Sequence, residues 1–355
     1  MSARREVVVV GAGQAGLAMG HYLAEQGRDF VVLEAADRPA ATWRDRWDSL
    51  VLFTPVRRDS LPGKPFPGDP DHYPTRDEVV AYLQDYARDL PVELNSRVTA
   101  LRQAGDGYVV EVGGDRSYEA DQVVIATGPF QVPFVPEAAN RLGPDVVQLH
   151  STEYRNPESL PRQRVLVVGG GNTGFQIAEE LAASRREVHL AVGSRQTPLP
   201  QRFLGRDLFR YLEGLGLMRK HVETRLGSRK QHRDFLIGSS PRGIRRRGVQ
   251  LHPRVVEAAG SEVTFSDGER LTVDAVVWAT GFRVDHSWID APVFDDGGRA
   301  EHRRGVTSTP GLYFLGLQWL YTRGSALLGW VHEDARHIAD QIASYQRTKP
   351  APAHA

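Results

Sequence analysis

Residues 6–34 read EVVVVGAGQAGLAMGHYLAEQGRDFVVLE, and this stretch decides the fold. Residues 7–10 are an unbroken run of valine, the composition of a central parallel strand buried on both faces. Gly11, Gly13 and Gly16 follow in the order G-x-G-x-x-G. In that order the first glycine permits a tight turn, the second lets backbone approach a pyrophosphate, and the third lets helix and strand pack closely. The helix that starts there presents free N–H groups and the positive end of its dipole to phosphates. Gly27 is placed to end the helix, residues 30–33 form a second strand, and Glu34 closes it. Glu34 stands 23 positions after Gly11, near the roughly 20 expected of the acid that holds a ribose hydroxyl. Strand, turn, helix, strand and acid together predict a dinucleotide site.

The pattern recurs at residues 164–195, RVLVVGGGNTGFQIAEELAASRREVHLAVGSR. Gly169, Gly171 and Gly174 repeat the glycine spacing, with Asn172 and Thr173 between them. The second strand of this unit ends in Ser194 and Arg195 instead of an acid, and an arginine there suits a 2′-phosphate. Two such units in one chain imply two nucleotides, a flavin and a nicotinamide. The unit with the acid is expected to hold FAD and the unit with the arginine NADPH.

Composition bounds the rest. A length of 355 residues is more than one typical domain. The formal charge is zero, which argues against a dedicated binder of nucleic acid or anionic membrane. No run approaches the ~18 apolar residues of a membrane span. The chain holds no cysteine, which excludes a dithiol pair and thiolate metal sites. With strand pattern from Val7 leaving no room for a signal peptide, the expected compartment is the cytoplasm.

Residues 35–78 form a Pro-, Asp- and Arg-rich excursion, and loops of that length are usually functional or disordered. Trp43, Trp47, Phe53, Phe66 and Tyr73 argue for order, with Trp43 and Arg44 placed to wrap a flat cofactor ring. Thr75-x-x-Glu78 is a capping box opening a helix. Short strands are expected over 92–94, 97–101, 108–112 and 117–120, then a buried strand ending in Ala126-Thr127-Gly128. Residues 274–282 echo that strand, ending in Ala279-Thr280-Gly281. Residues 195–247 hold 14 Lys and Arg against 4 Asp and Glu, 14 − 4 = 10, and read as a solvated helical insertion or a basic rim that draws anions. Within it Phe203, Leu204, Leu208, Phe209 and Leu212 are expected to share a helical face. Strands at 249–252, 255–258, 263–266 and 271–273 precede a last strand at 311–317 ending at Gly316. An amphipathic helix is expected over about 325–345, and 346–355 as a frayed tail. The two crossings between units are expected at 157–161 and 279–281.

With these motifs in place, the chain resembles the class B flavin-dependent monooxygenases, which include flavin-containing, YUCCA-like and Baeyer–Villiger enzymes and the bacterial stand-alone CzcO-like members. The resemblance spans the chain through GAGQAG, TWRDRW, YPTRDE, IATGPF, LHSTEYRNP, VVGGGNTG, VVWATGF and FLGLQWLYTRGSALLGW. It implies an α/β fold of two dinucleotide-binding, Rossmann-like domains. A discontinuous FAD domain would occupy 1–155 and 276–355, and an inserted NADPH domain 156–275. It also implies O₂ as co-substrate and a C4a-(hydro)peroxyflavin that inserts one oxygen atom into a small organic molecule. Candidate FAD contacts are Gly11, Gly13, Gln14, Ala15, Gly16, Glu34, Trp43, Arg44, Thr54, Val98, Ala126, Thr127, Gly128, Gly281 and Gly316. Candidate NADPH contacts are Gly169, Gly171, Asn172, Thr173, Gly174, Ser194 and Arg195. No catalytic side chain stands out, and no metal site. The linker pattern F-x-G-x-x-x-H-x-x-x-(W/Y) matches only at its end, His150 and Tyr154, with Pro144 and Val146 where Phe and Gly belong; His150 reads as a hinge or as a contact of NADPH. N-oxidising relatives carry Asn-Thr where this chain has Phe53-Thr54. The competing reading is an FAD-dependent NADPH oxidoreductase that passes electrons to a quinone or protein. Neither reading calls for nucleic acid or a membrane span, and both leave room for a homodimer.

Overall fold

The computed structural model describes residues 2–160, 164–224 and 235–348. It contains two parallel five-stranded arrays built on one plan. In the first, the strands lie in the order Leu312–Phe314, Arg116–Ile125, Ser2–Val10, Phe30–Leu33, Val92–Glu93. In the second the order is Val147–His150, Ala275–Trp278, Arg164–Val168, Glu187–Ala191, Gln250–His252. Each carries an antiparallel meander. Val98–Ala104 and Gly107–Val112 join the first half of Arg116–Ile125. Val255–Ala259, Glu262–Phe265 and Arg270–Thr272 accompany the second array.

The valine run explains the centre of the first sheet. Side chains alternate across a strand, so Val7 and Val9 join a cluster with Leu17, Val32 and Ile338, while Val8 and Val10 join one with Tyr108, Val110 and Phe314. Both faces are covered, so every position is apolar. The strand begins at Ser2, well before the valines, because residues 2–5 pair with the meander half of Arg116–Ile125. The strand expected at 117–120 and the buried strand expected to end in Ala126-Thr127-Gly128 are therefore one continuous strand, Arg116–Ile125.

Local signals hold where their partners are nearby. Thr75 and Glu78 form the capping box of helix Arg76–Ala87, and Gly27 takes a left-handed φ of 65° after helix Gln14–Glu25. Expectations that depended on distant partners shift. The second array takes in both Val147–His150 and Ala275–Trp278, so the chain passes between the sheets over 126–147 instead of 157–161, and again after 278, beside the crossing expected at 279–281. Residues 157–159 form a 3₁₀ turn instead of a crossing. The last helix is Val331–Thr348, and residues 323–326 form a separate 3₁₀ turn held by the Thr322 hydroxyl. It packs along helix Gln14–Glu25, through apolar residues such as Ile338 and Leu17.

The basic insertion is not one helix. Pro198–Leu199 pairs with Leu236–Ile237, and Arg202–Phe203 forms a hairpin with Arg206–Asp207 before helix Leu208–Gly214. Phe203 and Leu204 lie in and at the hairpin and are exposed, Leu204 to 79%, whereas Leu208 and Phe209 are buried. The expected common face does not form, because Asp207 caps the helix after the hairpin by accepting from the Arg210 N–H. Residues 225–234 and the tail beyond 348 lie outside the described residues. No described helix is long and apolar enough to cross a membrane.

Candidate active site between two glycine turns

Both glycine turns obey the same steric rule. A Cβ on Gly11, which has a φ of 106°, would lie 2.7 Å from the Ala126 carbonyl oxygen. One on Gly169, at φ 145°, would lie 2.1 Å from the Ala279 carbonyl oxygen. The third glycines are just as restricted: Cβ atoms on Gly16 and Gly174 would fall 1.8 and 2.1 Å from the carbonyl oxygens of Gly11 and Gly169. The second glycines differ, since a Cβ on Gly13 or Gly171 meets nothing within 4 Å. The N-termini of helices Gln14–Glu25 and Asn172–Ala183 are thus packed behind and open in front. Open N–H groups at a helix start form a phosphate cradle, so the residues present fit the two nucleotides.

Glu34 sits at the end of its strand with its carboxylate turned to the first turn. Its Oε2 accepts from the Ala12 N–H at 2.9 Å and its Oε1 from the Ala36 N–H at 3.0 Å. Further lone pairs stay available for a ribose hydroxyl. The chain beyond Val92–Glu93 borders this acid: Ser96 N–H donates to the Glu34 carbonyl at 2.7 Å, which places half-buried Val98 two residues away. Gly316, at φ 77°, closes the other side, a Cβ there lying 2.6 Å from that of Ala15. Thr127 and Gly128 are braced by Gln131, whose Nε2 donates to the Thr127 hydroxyl at 2.9 Å and to the Gly128 carbonyl at 2.8 Å. Gly281, at φ 89°, gives its carbonyl to the His150 ring, Nε2 at 3.1 Å.

The side chains that open the two helices face a common apolar cluster. Gln14 accepts from the Trp43 indole N–H at 2.7 Å and donates to the Ala326 carbonyl at 2.8 Å. Asn172 accepts from the Ile237 N–H at 2.9 Å and donates to the Phe235 carbonyl at 3.2 Å. Leu327 and Trp330, just past Ala326, and Phe235 with Ile237 belong to one cluster that also holds Phe53 and Phe209. Phe53 stacks on Phe209 at 6.0 Å, and Phe209 meets Trp330 at 5.4 Å. The cluster is therefore bonded to Asn172 through Phe235 and Ile237, and it adjoins Ala326, whose carbonyl Gln14 holds.

Other candidate residues are committed elsewhere. Arg44 is shared by Asp37 and Asp45 at the surface. Thr54 is buried and donates to Asp59 Oδ1 at 2.6 Å. Asp59 is 1% exposed and its Oδ2 has no partner. Burial pushes its pKa up to about 7, against the opposing pull of the Thr54 bond and Arg58. Ser194 and Arg195 are exposed at the mouth of the second turn. A second arginine stands there unannounced by any motif, Arg254, whose Nη2 donates to the Gly193 carbonyl at 3.4 Å. His150 is buried, and burial holds its pKa below the usual histidine range against the Gly281 bond. Tyr154 is buried and donates to Glu180 at 2.7 Å.

Sequence patterns alone missed Arg46. It is buried, and its guanidinium carbon lies 5.0 Å from the ring centres of both Phe130 and Phe282. Loss of hydration lowers its pKa to about 10. The legible signal was the aromatic that follows both Ala-Thr-Gly segments.

The model of the pyridine nucleotide-disulphide oxidoreductase family matches residues 8–202. An uncharacterized CzcO-like oxidoreductase of Geobacillus kaustophilus is 43% identical over 96% of this chain and 99% of its own. A probable indole-3-pyruvate monooxygenase of Arabidopsis thaliana, YUCCA9, is 29% identical over 96% and 89%. The solved structure of a flavin-containing monooxygenase from Stenotrophomonas maltophilia superposes with a TM-score of 0.82 at 30% identity, covering 97% of this chain and 99% of that one. This chain has no cysteine for the disulphide chemistry in the family's description; it belongs to that family and, within it, to the class B flavin-dependent monooxygenases.

Proposed function

We propose that the chain is an FAD- and NADPH-dependent monooxygenase that places one atom of O₂ into a small organic substrate, by heteroatom oxygenation or Baeyer–Villiger insertion. The observation that carries this reading is the apolar cluster of Phe53, Phe209, Trp330 and Ile237, bonded to Asn172 through Ile237 and adjoining the Ala326 carbonyl that Gln14 holds. A reductase serving a large acceptor needs an exposed electron exit, whereas an oxygenase needs a water-poor chamber where both cofactors meet.

In this reading the first array and the returning strand Leu312–Phe314 hold FAD, and the second array holds NADPH. Gly13 and the N–H groups after it cradle the FAD diphosphate, and Glu34 takes a ribose hydroxyl. Gly171 and Thr173 do the same for NADPH, while Asn172 spends its side chain on residues 235–237. Arg195, with Arg254 beside it, faces the 2′-phosphate. Trp43, fixed by Gln14, borders the flavin. Bound flavin supplies the redox chemistry of oxygen activation; the protein orients both cofactors and excludes water.

The balance is substrate + O₂ + NADPH + H⁺ giving oxygenated substrate + H₂O + NADP⁺. Turnover under ¹⁸O₂ with a panel of sulfides, amines and ketones tests it. One labelled oxygen per NADPH consumed is the expected result. Unlabelled product, or fast quinone reduction with no oxygenated product, would overturn it.

A further inference from the structure

Among the described residues Arg46 is the arginine sheltered most, at 8% exposure, and no carboxylate pairs with it. Other sheltered arginines have theirs: Arg28 holds Glu6, Arg58 holds Asp207, Arg76 holds Asp48, and Arg304 holds Asp334. Arg46 forms no ion pair with a described residue, and its guanidinium donates to none. The charge that acts on it through space is Asp45, whose carboxylate is tied to Arg44 and Arg155.

Its setting is rigid. The Arg46 carbonyl accepts from Arg76 Nη1 at 2.8 Å and from Arg155 Nη1 at 3.1 Å, which fixes the backbone. Phe130 and Phe282 flank the guanidinium and touch edge to face at 5.3 Å. Phe130 follows Gly128 by two residues, and Phe282 follows Gly281 directly. The two segments are joined where Phe282–Arg283 pairs with Val132–Pro133. Arg46 thus stands where the exits from both Ala-Thr-Gly turns meet, and those turns pack on Gly11 and Gly169.

Aromatic faces attract a cation but accept none of its five N–H donors. They leave the planar fork free at its edge, the geometry that suits a two-point contact with phosphate or carboxylate. Phe130 remains 44% exposed, so the clamp reaches the surface on that side. We infer that Arg46 is the positive pole of an anion site at the junction of the two arrays, taking a phosphate or carboxylate group of a bound small molecule. The diphosphate of a dinucleotide and the carboxylate of a substrate are its two sources. Only that choice of source rests on the proposed function.

The test uses flavin-loaded full chain, wild type against Arg46→Met and Arg46→Lys. Binding of NADP⁺, inorganic pyrophosphate, phenylpyruvate and 2′-AMP is measured by calorimetry. Arg46→Met is expected to weaken pyrophosphate or phenylpyruvate by about ten- to a hundredfold, the loss of one charge-assisted contact, with 2′-AMP unchanged. Parallel losses of pyrophosphate and NADP⁺ assign the site to the dinucleotide; loss of phenylpyruvate alone assigns it to the substrate. Should Arg46→Met lose its flavin, Arg46→Lys carries the test. It keeps the charge and loses the fork, so affinity for the same anion falls severalfold at full flavin content. Unchanged affinities with a lower Tm would reduce Arg46 to a latch and overturn the site, as would a wild type that binds neither pyrophosphate nor phenylpyruvate. A wild type that binds pyrophosphate but not NADP⁺ would sink the NADPH reading and leave the anion site standing.

Discussion

Gly11 and Ala126 touch: the Ala126 carbonyl oxygen occupies the place a Gly11 side chain would need, 2.7 Å from its Cβ position. Gly169 and Ala279 repeat the relationship at 2.1 Å. The Ala-Thr-Gly segments and the glycine turns are therefore two halves of one packing unit, present twice. Each strand that ends in Ala-Thr-Gly lies next to the strand that opens the turn, in parallel register Val10 with Ile125 and Val168 with Trp278.

The second and third glycines of the NADPH-side turn separate binding from folding. Gly171→Ala adds a methyl into open space, so Tm is expected to stay within about 2 °C while NADP⁺ affinity drops, because under the proposed function that space receives the phosphate. Gly174→Ala drives its methyl to 2.1 Å from the Gly169 carbonyl, and a cost of about 3 kcal/mol is expected from forced overpacking. Thermal melts and NADP⁺ titration of the two variants check this; equal Tm values would refute it.

Arg195→Ala is expected to raise KM for NADPH and leave that for NADH nearly unchanged. An exposed charge-assisted contact at the low end of the range is worth about 1.5 kcal/mol, or a factor near ten. Arg254→Ala should show the same selectivity more weakly. Equal effects on the two cofactors would remove both arginines from the 2′-phosphate.

Asp59 makes stability depend on pH. Its folded pKa is raised to about 7 from 3.8, so between those values the unfolded chain has lost the proton and the folded chain keeps it. Stability therefore falls as pH rises from about 4 to 7, by at most about 1.4 kcal/mol per pH unit, and levels off above. Asp59→Asn keeps an acceptor for Thr54 without the charge. It should flatten that slope and raise Tm most at pH 8, and a variant with the wild-type slope would show that Asp59 is not its source.

Arg58 ties the excursion to the insertion by donating to Asp207 at 2.9 Å and to Glu213. Asp207 is buried, so Arg58→Met leaves a sheltered carboxylate without its cation. A loss of about 3 kcal/mol is expected, read in urea melts. Arg58→Met with Asp207→Asn should recover part of it if the unpaired charge is the cause.

The sequence by itself determined the two nucleotide units, their glycine geometry and the acid at Glu34, since these are local: valine runs, glycine spacing and helix starts act within about 30 residues. It also paired the two Ala-Thr-Gly strands by their likeness. Tertiary structure decided where the units part, because Val147–His150 joins its sheet through Trp278 and its neighbours, more than a hundred positions away. It decided that Asn172 spends its side chain on residues 235–237 and that Arg44 pairs at the surface, while Arg46, two positions on, is buried between Phe130 and Phe282. Side chains of one type in one loop diverge in this way because burial and partners come from segments far along the chain, and no spacing records them.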